Sequence, residues 1–264
     1  MIRVELKKQS VRLRTYVVVA LMIGLPILLT AIIRFGHRQD NDRDFFALAS
    51  QSGINMPLAA LTAASTFLLM IVAAVFAGSS ISEESNWGSL RYLLLRPISR
   101  NTILRSKLSV ACLLALSATV LIATSALIAG TIAFGWHPVQ TPDGSVFSQT
   151  SAMEKLAVST LYVAWCMAGI VALAFMISSM TDSMMGAVAG AVGLGIVSQI
   201  LDAISSLGGI RGWLITHYWH AWEGLFANPV SSSDMVNGVL LQIPYVILFL
   251  AVGWRWFNRR DILT

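Results

Sequence analysis

Residues 59–77 read Ala59-Ala-Leu-Thr-Ala-Ala-Ser-Thr-Phe-Leu-Leu-Met-Ile-Val-Ala-Ala-Val-Phe-Ala77, with no charge and no polar group larger than a hydroxyl. A helix of these residues is apolar on every side, so it has no face to turn to water and belongs in lipid or a dry core. A strand of a membrane barrel would instead alternate in polarity over about 10 residues. The stretch lies inside a longer uncharged run, 45–82, and five more such runs cover 15–33, 108–142, 156–181, 183–201 and 235–254. Each reaches or exceeds the roughly 18–20 residues that carry a helix across about 30 Å of hydrocarbon. Of the 264 residues, 56% are hydrophobic and only 12% charged, with mean hydropathy +0.73. Soluble domains carry about 25% charged residues, so a water-soluble globule, a disordered chain and a coiled coil are all excluded.

The expected fold is an all-α polytopic membrane protein, one domain over 1–264. Its spans fall near 15–34, 57–80, 108–134, 156–180, 183–204 and 235–257. An outer helical loop near 205–234 is expected as short interfacial or re-entrant helices. Other connections lie near 35–56 and 135–155 outside and 81–107 inside.

Lys and Arg resist translocation, so their placement orients the bundle. With the amino end inside, Arg3, Lys7, Lys8, Arg12, Arg14, Arg91, Arg96, Arg100, Arg105, Lys107, Arg255, Arg259 and Arg260 are cytoplasmic. Outside remain Arg34, Arg38, Arg43, Lys155 and Arg211, beside the acidic Asp40, Asp42 and Asp44. Both termini are therefore expected in the cytoplasm, and the net charge of +5 reads as leaflet polarity that requires no nucleic acid. The first apolar run exceeds a signal-peptide core and no small-residue cleavage site follows it, so it is expected to stay as an anchor. Ahead of it, Ile2, Leu6 and Leu13 alternate with basic residues, as in a helix lying on the inner membrane face or a flank that merely orients the first span. Cys112 and Cys166 fall within spans without a CxxC partner and read as small buried hydrophobes.

The inner segment between spans two and three carries Glu83, Glu84, then Leu90, Leu94 and Leu95 at helical spacing, and Pro97, which must stop a helix or open one. It reads as a short amphipathic helix on the cytoplasmic surface. Such a helix rests in the headgroups, or presents Leu95, Pro97 and Ile98, ringed by Arg91, Arg96 and Arg100, to a groove on a soluble partner.

The stretch Glu83-Glu-Ser-Asn-Trp-Gly-Ser-Leu-Arg-Tyr-Leu-Leu-Leu-Arg-Pro-Ile-Ser-Arg-Asn-Thr-Ile-Leu-Arg-Ser-Lys107 resembles the inner segment of type 2 ATP-binding-cassette (ABC) transporter permeases. Those show an acidic pair, a Gly followed by Ser or Thr, a leucine-rich turn, Pro-Ile-Ser-Arg and a Lys opening the third span. The tail Phe257-Asn-Arg-Arg-Asp-Ile-Leu is similar to their ending, and six spans with both ends inside fit the whole chain. The resemblance implies an export permease of the cell inner membrane, working as a homodimer or heterodimer with two copies of a separate ATPase. Glu83, Glu84, Gly88, Leu90, Arg91, Leu95, Arg96, Pro97, Ile98 and Arg100 would form the coupling helix seated in that subunit. Asn86-Trp87 ahead of Gly88 departs from the smaller or charged pair usual there. Thr181 and Asp182, in the inner turn after span four, would make a second contact; on the residues alone, Asp182 reads as the cap of the fifth helix. ATP and magnesium belong to the partner subunit, since this sequence has no Gly-x-x-x-x-Gly-Lys-Ser/Thr loop and is expected to bind no cofactor itself and to catalyse nothing.

Gly186, Gly190 and Gly193 form a small-residue face for packing within the subunit or at a dimer seam. The outer stretch 211–226 is rich in Trp and Tyr, which favour the headgroup boundary. His217, His220 and Glu223 recur every third residue in it and are weighed as metal ligands against ordinary interfacial residues. No intramembrane acid, base or nucleophile set is evident, and Asp202 falls near an outer end. That argues against a proton-coupled carrier or an intramembrane hydrolase. Ser65, Thr66, Thr119 and Ser125 are candidate cavity-lining hydroxyls for a lipid-like, drug-like or peptide substrate. The other functions consistent with the sequence are a non-transporting scaffold or sensor that recruits a cytoplasmic partner, and an ion-coupled carrier.

Overall fold

The computed structural model describes residues 2–35, 48–86, 99–141 and 144–259. Helices α1 (Ile2–Ser10) and α2 (Leu13–Phe35) are followed by α3 (Asn55–Thr66), α4 (Leu68–Asn86) and α5 (Arg100–Phe134). A two-stranded antiparallel hairpin, β1 (Val139–Gln140) and β2 (Val146–Phe147), precedes α6 (Gln149–Met180) and α7 (Met184–Ala203). Two 3₁₀ helices, Ser205–Trp213 and Ala221–Phe226, lead to α8 (Ser233–Arg259). Six of these, α2, α4, α5, α6, α7 and α8, are long and apolar enough to cross a membrane. The hairpin was not foreseen; its strands are two residues long, too short to leave an alternating pattern.

Burial sets the order of the bundle. The apolar window of α4 is 78% buried and that of α6 67%, against 17% for α8 and 22% for α2 and α7. Thus α4 runs through the centre between α5, α6 and α7, with α2 laid on α5 and α8 on α6. Where side chains are absent, backbones approach: a Cβ on Gly195 of α7 would lie 2.4 Å from the Met70 sulfur, and one on Gly78 of α4 3.1 Å from Val188. The expected packing glycines divide differently. A Cβ on Gly190 would meet Ile177 of α6 at 3.3 Å, one on Gly186 the Ser183 side chain of its own turn at 3.4 Å, and one on Gly193 nothing within 4 Å. The buried stripe of α7 is Ala187, Ala191, Gly195 and Ser198.

Expected as one helix, the second span is two. At Phe67 the backbone turns to φ −129°, ψ −50°, separating α3 from α4. Just before it, Thr62 donates to the Leu58 carbonyl (3.0 Å), while Ser65 (3.2 Å) and Thr66 (3.3 Å) both donate to that of Thr62. Such back-bonding bends helices, and three hydroxyls within five residues concentrate it here. The Thr66 carbonyl is met by Gln199 Nε2 of α7 at 2.8 Å.

At 35 residues α5 is about 52 Å long, more than a bilayer core needs, so it projects beyond the apolar slab. Ser99 caps its start, accepting from the Thr102 amide. Ser183 caps α7 through the Gly186 amide at 3.1 Å, the role expected of Asp182. Asp182 instead accepts a hydrogen bond from Ser85, across the gap to the end of α4. Ser183 wins because the residue adjoining the first helical position is the one whose side chain reaches the third amide.

Candidate functional site: the ionic cluster and the segment it flanks

One end of the bundle gathers α1, the end of α4, the start of α5, the 181–183 turn and the end of α8. In α1, Glu5, Lys8 and Gln9 share one face by helical spacing, and that polar face points into the protein while Ile2, Val4 and Leu6 stay exposed. The inversion has a clear cause, since carboxylates and a lysine await it. Lys107 of α5, only 4% exposed, donates to the Ser80 carbonyl at 2.7 Å and pairs with Glu84 at 2.8 Å and Glu5 at 3.5 Å. Lys8 pairs with Glu84 as well. Glu83 takes Arg12 and, at 2.9 Å, Arg14 of α2, whose guanidinium also donates to Gln9. Buried charges of this kind are tolerable only when paired and hydrogen-bonded on several sides. Of the expected contact residues, Glu83 and Glu84 therefore face the chain's own amino-terminal elements.

Arg100 donates to the Asn258 (3.2 Å) and Phe257 (3.5 Å) carbonyls, tying the start of α5 to the end of α8. Beside it Trp254 Nε1 donates to Asn101 at 2.9 Å. Gly88, Leu90, Arg91, Leu95, Arg96, Pro97 and Ile98 lie outside the described residues. Both anchors of that segment, Asn86 and Ser99, sit at this end, and Ser85 joins it to the turn holding Thr181 and Asp182.

At the opposite end the stretch 211–226 enters the bundle. Its carbonyls are met by side chains of the long helices: Gln242 donates to Ile215 (2.8 Å), Tyr245 to Trp213 (2.5 Å), Tyr162 to Tyr218 (2.7 Å) and Lys155 to Leu225 (2.7 Å). Tyr245 lies about 18 Å along α8 from its first residue, so the stretch packs along the side of α8 and not only at its end. Irregular backbone survives at such depth only when its polar groups are satisfied by protein. Trp219, Trp222 and Phe226 are fully buried within it.

The three residues weighed as metal ligands go separate ways. His217 Nδ1 meets Asp202 at 2.5 Å, next to Arg211 at 3.3 Å, while His220 Nε2 meets Ser65 at 3.3 Å. Among the described residues no three His, Cys, Asp or Glu side chains gather as a metal site. Ser65 stands about 15 Å into α3, so His220 is an embedded imidazole, which spacing alone had placed at the interface. The other hydroxyls weighed as cavity lining also serve structure: Ser125 donates to the Met22 carbonyl of α2 and buried Thr119 to Ala115.

The fold and the two ends define a multi-pass helical membrane protein with six helices long and apolar enough to span, a charged clamp at one end and a stretch of 3₁₀ turns packed into the other. The chain belongs to the family described as "Protein of unknown function (DUF2705)", which matches residues 17–263. It is similar to the uncharacterized protein YhcI of Bacillus subtilis (strain 168), at 26% identity over 217 residues. That match takes in 75% of this chain and 66% of the relative, just under two thirds of its length.

Proposed function

We propose that the chain is the permease subunit of an ATP-driven ABC exporter of the cytoplasmic membrane. The observation that carries the reading is the stretch Glu83–Lys107, with its Pro-Ile-Ser-Arg sequence and closing Lys, borne between two spans whose ends are pinned to their neighbours. Both ends of the chain and this stretch lie in the cytoplasm, where their Lys and Arg favour them. A separate ATPase subunit, in two copies, grips residues 87–98; it supplies the nucleotide chemistry for which this sequence has no phosphate loop. Force on that segment reaches α4 and α5 directly, and through Ser85 and Asp182 it reaches the α6–α7 turn. Two permease chains then rock between inward- and outward-open forms. The apolar spans suit a hydrophobic or amphipathic cargo.

Co-purification of a tagged chain tests the proposal. A nucleotide-binding subunit is expected to accompany it, and Pro97→Asp or Arg96→Glu to abolish transport in reconstituted vesicles. If no such subunit associates and both variants leave transport unchanged, the reading fails. A scaffold or sensor that recruits the same partner would show no stimulation of ATPase activity by cargo.

A further inference from the structure

The last two turns of α8 have two unlike faces. Gly253, Trp254 and Phe257 turn inward: a Cβ on Gly253 would lie 3.1 Å from Met176, Trp254 lies against Phe175, and Phe257 is fully buried. Val252, Arg255, Trp256 and Arg259, at helical spacing of three and four, line a groove of about 450 Å³ on the opposite side. Trp256 is 52% exposed, in contrast to the fully buried Trp219 and Trp222. Neither guanidinium has an acidic partner among the described residues. Among the described residues, the carboxylates at this end are engaged elsewhere: Glu5 and Glu84 with Lys107, Glu83 with Arg12 and Arg14, and Asp182 with Ser85. Arg100 occupies the Phe257 and Asn258 carbonyls.

We infer that this groove binds the headgroup of an anionic phospholipid. Two arginines one turn apart present paired forks that match phosphate oxygens. Trp256 belongs at the headgroup boundary, and Val252, one turn deeper in the span, lines the start of an acyl chain. The spanning window of α8 is only 17% buried within the chain, so this side of the helix is open to the bilayer. A phosphodiester from the bilayer supplies the negative charge that the described residues do not place here.

The whole chain, purified in detergent, is incubated with equal amounts of dioleoyl phosphatidylglycerol and dioleoyl phosphatidylcholine, and retained lipid is counted by native mass spectrometry. Wild type is expected to retain phosphatidylglycerol in preference. The double variant Arg255→Gln/Arg259→Gln is expected to lose that preference by roughly 30-fold, the attraction of two cations near the membrane surface. Arg105→Gln, a cation of the same end outside the groove, is expected to keep it, and inorganic phosphate not to displace the lipid. The inference is overturned if the preference survives the double substitution, falls equally in Arg105→Gln, or yields to inorganic phosphate, which would make the groove a site for the free ion. Should the double variant not stay monodisperse, brominated phosphatidylglycerol decides: it should quench wild-type tryptophan fluorescence more than brominated phosphatidylcholine does, with the excess gone in Trp256→Phe. Equal excess in both proteins overturns the inference as well.

Discussion

A Cβ on Gly130 of α5 would lie 2.5 Å from the Gly53 carbonyl and 2.6 Å from the Met56 Cβ, and one on Gly53 would strike the backbone of Thr131 at 2.6 Å. Backbone cannot step aside as a side chain does, so Gly130→Ala is expected to destabilise by about 1–3 kcal/mol, read as a lowered melting temperature of the detergent-purified protein. Gln242 shows the complementary case. A polar amide in the middle of α8 serves one purpose in the structure, donating to the Ile215 carbonyl, and Gly169 leaves the room, since a Cβ there would lie 2.2 Å from Gln242 Oε1. Gln242→Leu strands that carbonyl and should cost about 1 kcal/mol, with faster proteolysis at 211–226 as the specific readout. Neither residue announces its partner locally. Gly53 and Gly130 are far apart in sequence and meet only through the packing of α3 on α5, so the uncharged runs that located the spans carry no trace of the contact.

At the scale of elements, α1 is held by charge. Glu84→Gln removes one carboxylate from a buried lysine and is expected to cost about 3 kcal/mol and to open the Lys7–Lys8 bonds to trypsin, which should spare the wild type. The stretch 211–226 is held by its carbonyl acceptors and by His220. His220→Ala, which removes the contact with Ser65, should speed hydrogen exchange over 211–226 relative to the wild type. Aromatic density marked 211–226 as a separate element. Its depth depended on Gln242, Tyr245 and Tyr162, which lie in other helices and look like ordinary span residues when read along the chain.

For the whole molecule, the proposed arrangement requires 87–98 and both ends of the chain on one cytoplasmic face. Single cysteines at positions 89 and 101 should resist a membrane-impermeant maleimide in intact cells and react after permeabilisation, while one at 144 should react in both. Labelling of 89 in intact cells would reverse the topology and remove the ATPase from reach. Six helices long and apolar enough to cross a membrane were legible in the sequence, because the cost of placing charge in hydrocarbon acts on each residue wherever its neighbours are. Only the tertiary structure decided that Glu83 and Glu84 turn to α1, α2 and α5, that the second span breaks at Phe67 where Gln199 meets the Thr66 carbonyl, and that His217 and His220 part to Asp202 and Ser65. Those outcomes are pairings, and a pairing depends on which distant groups packing brings within hydrogen-bond reach, a quantity no single stretch of chain contains.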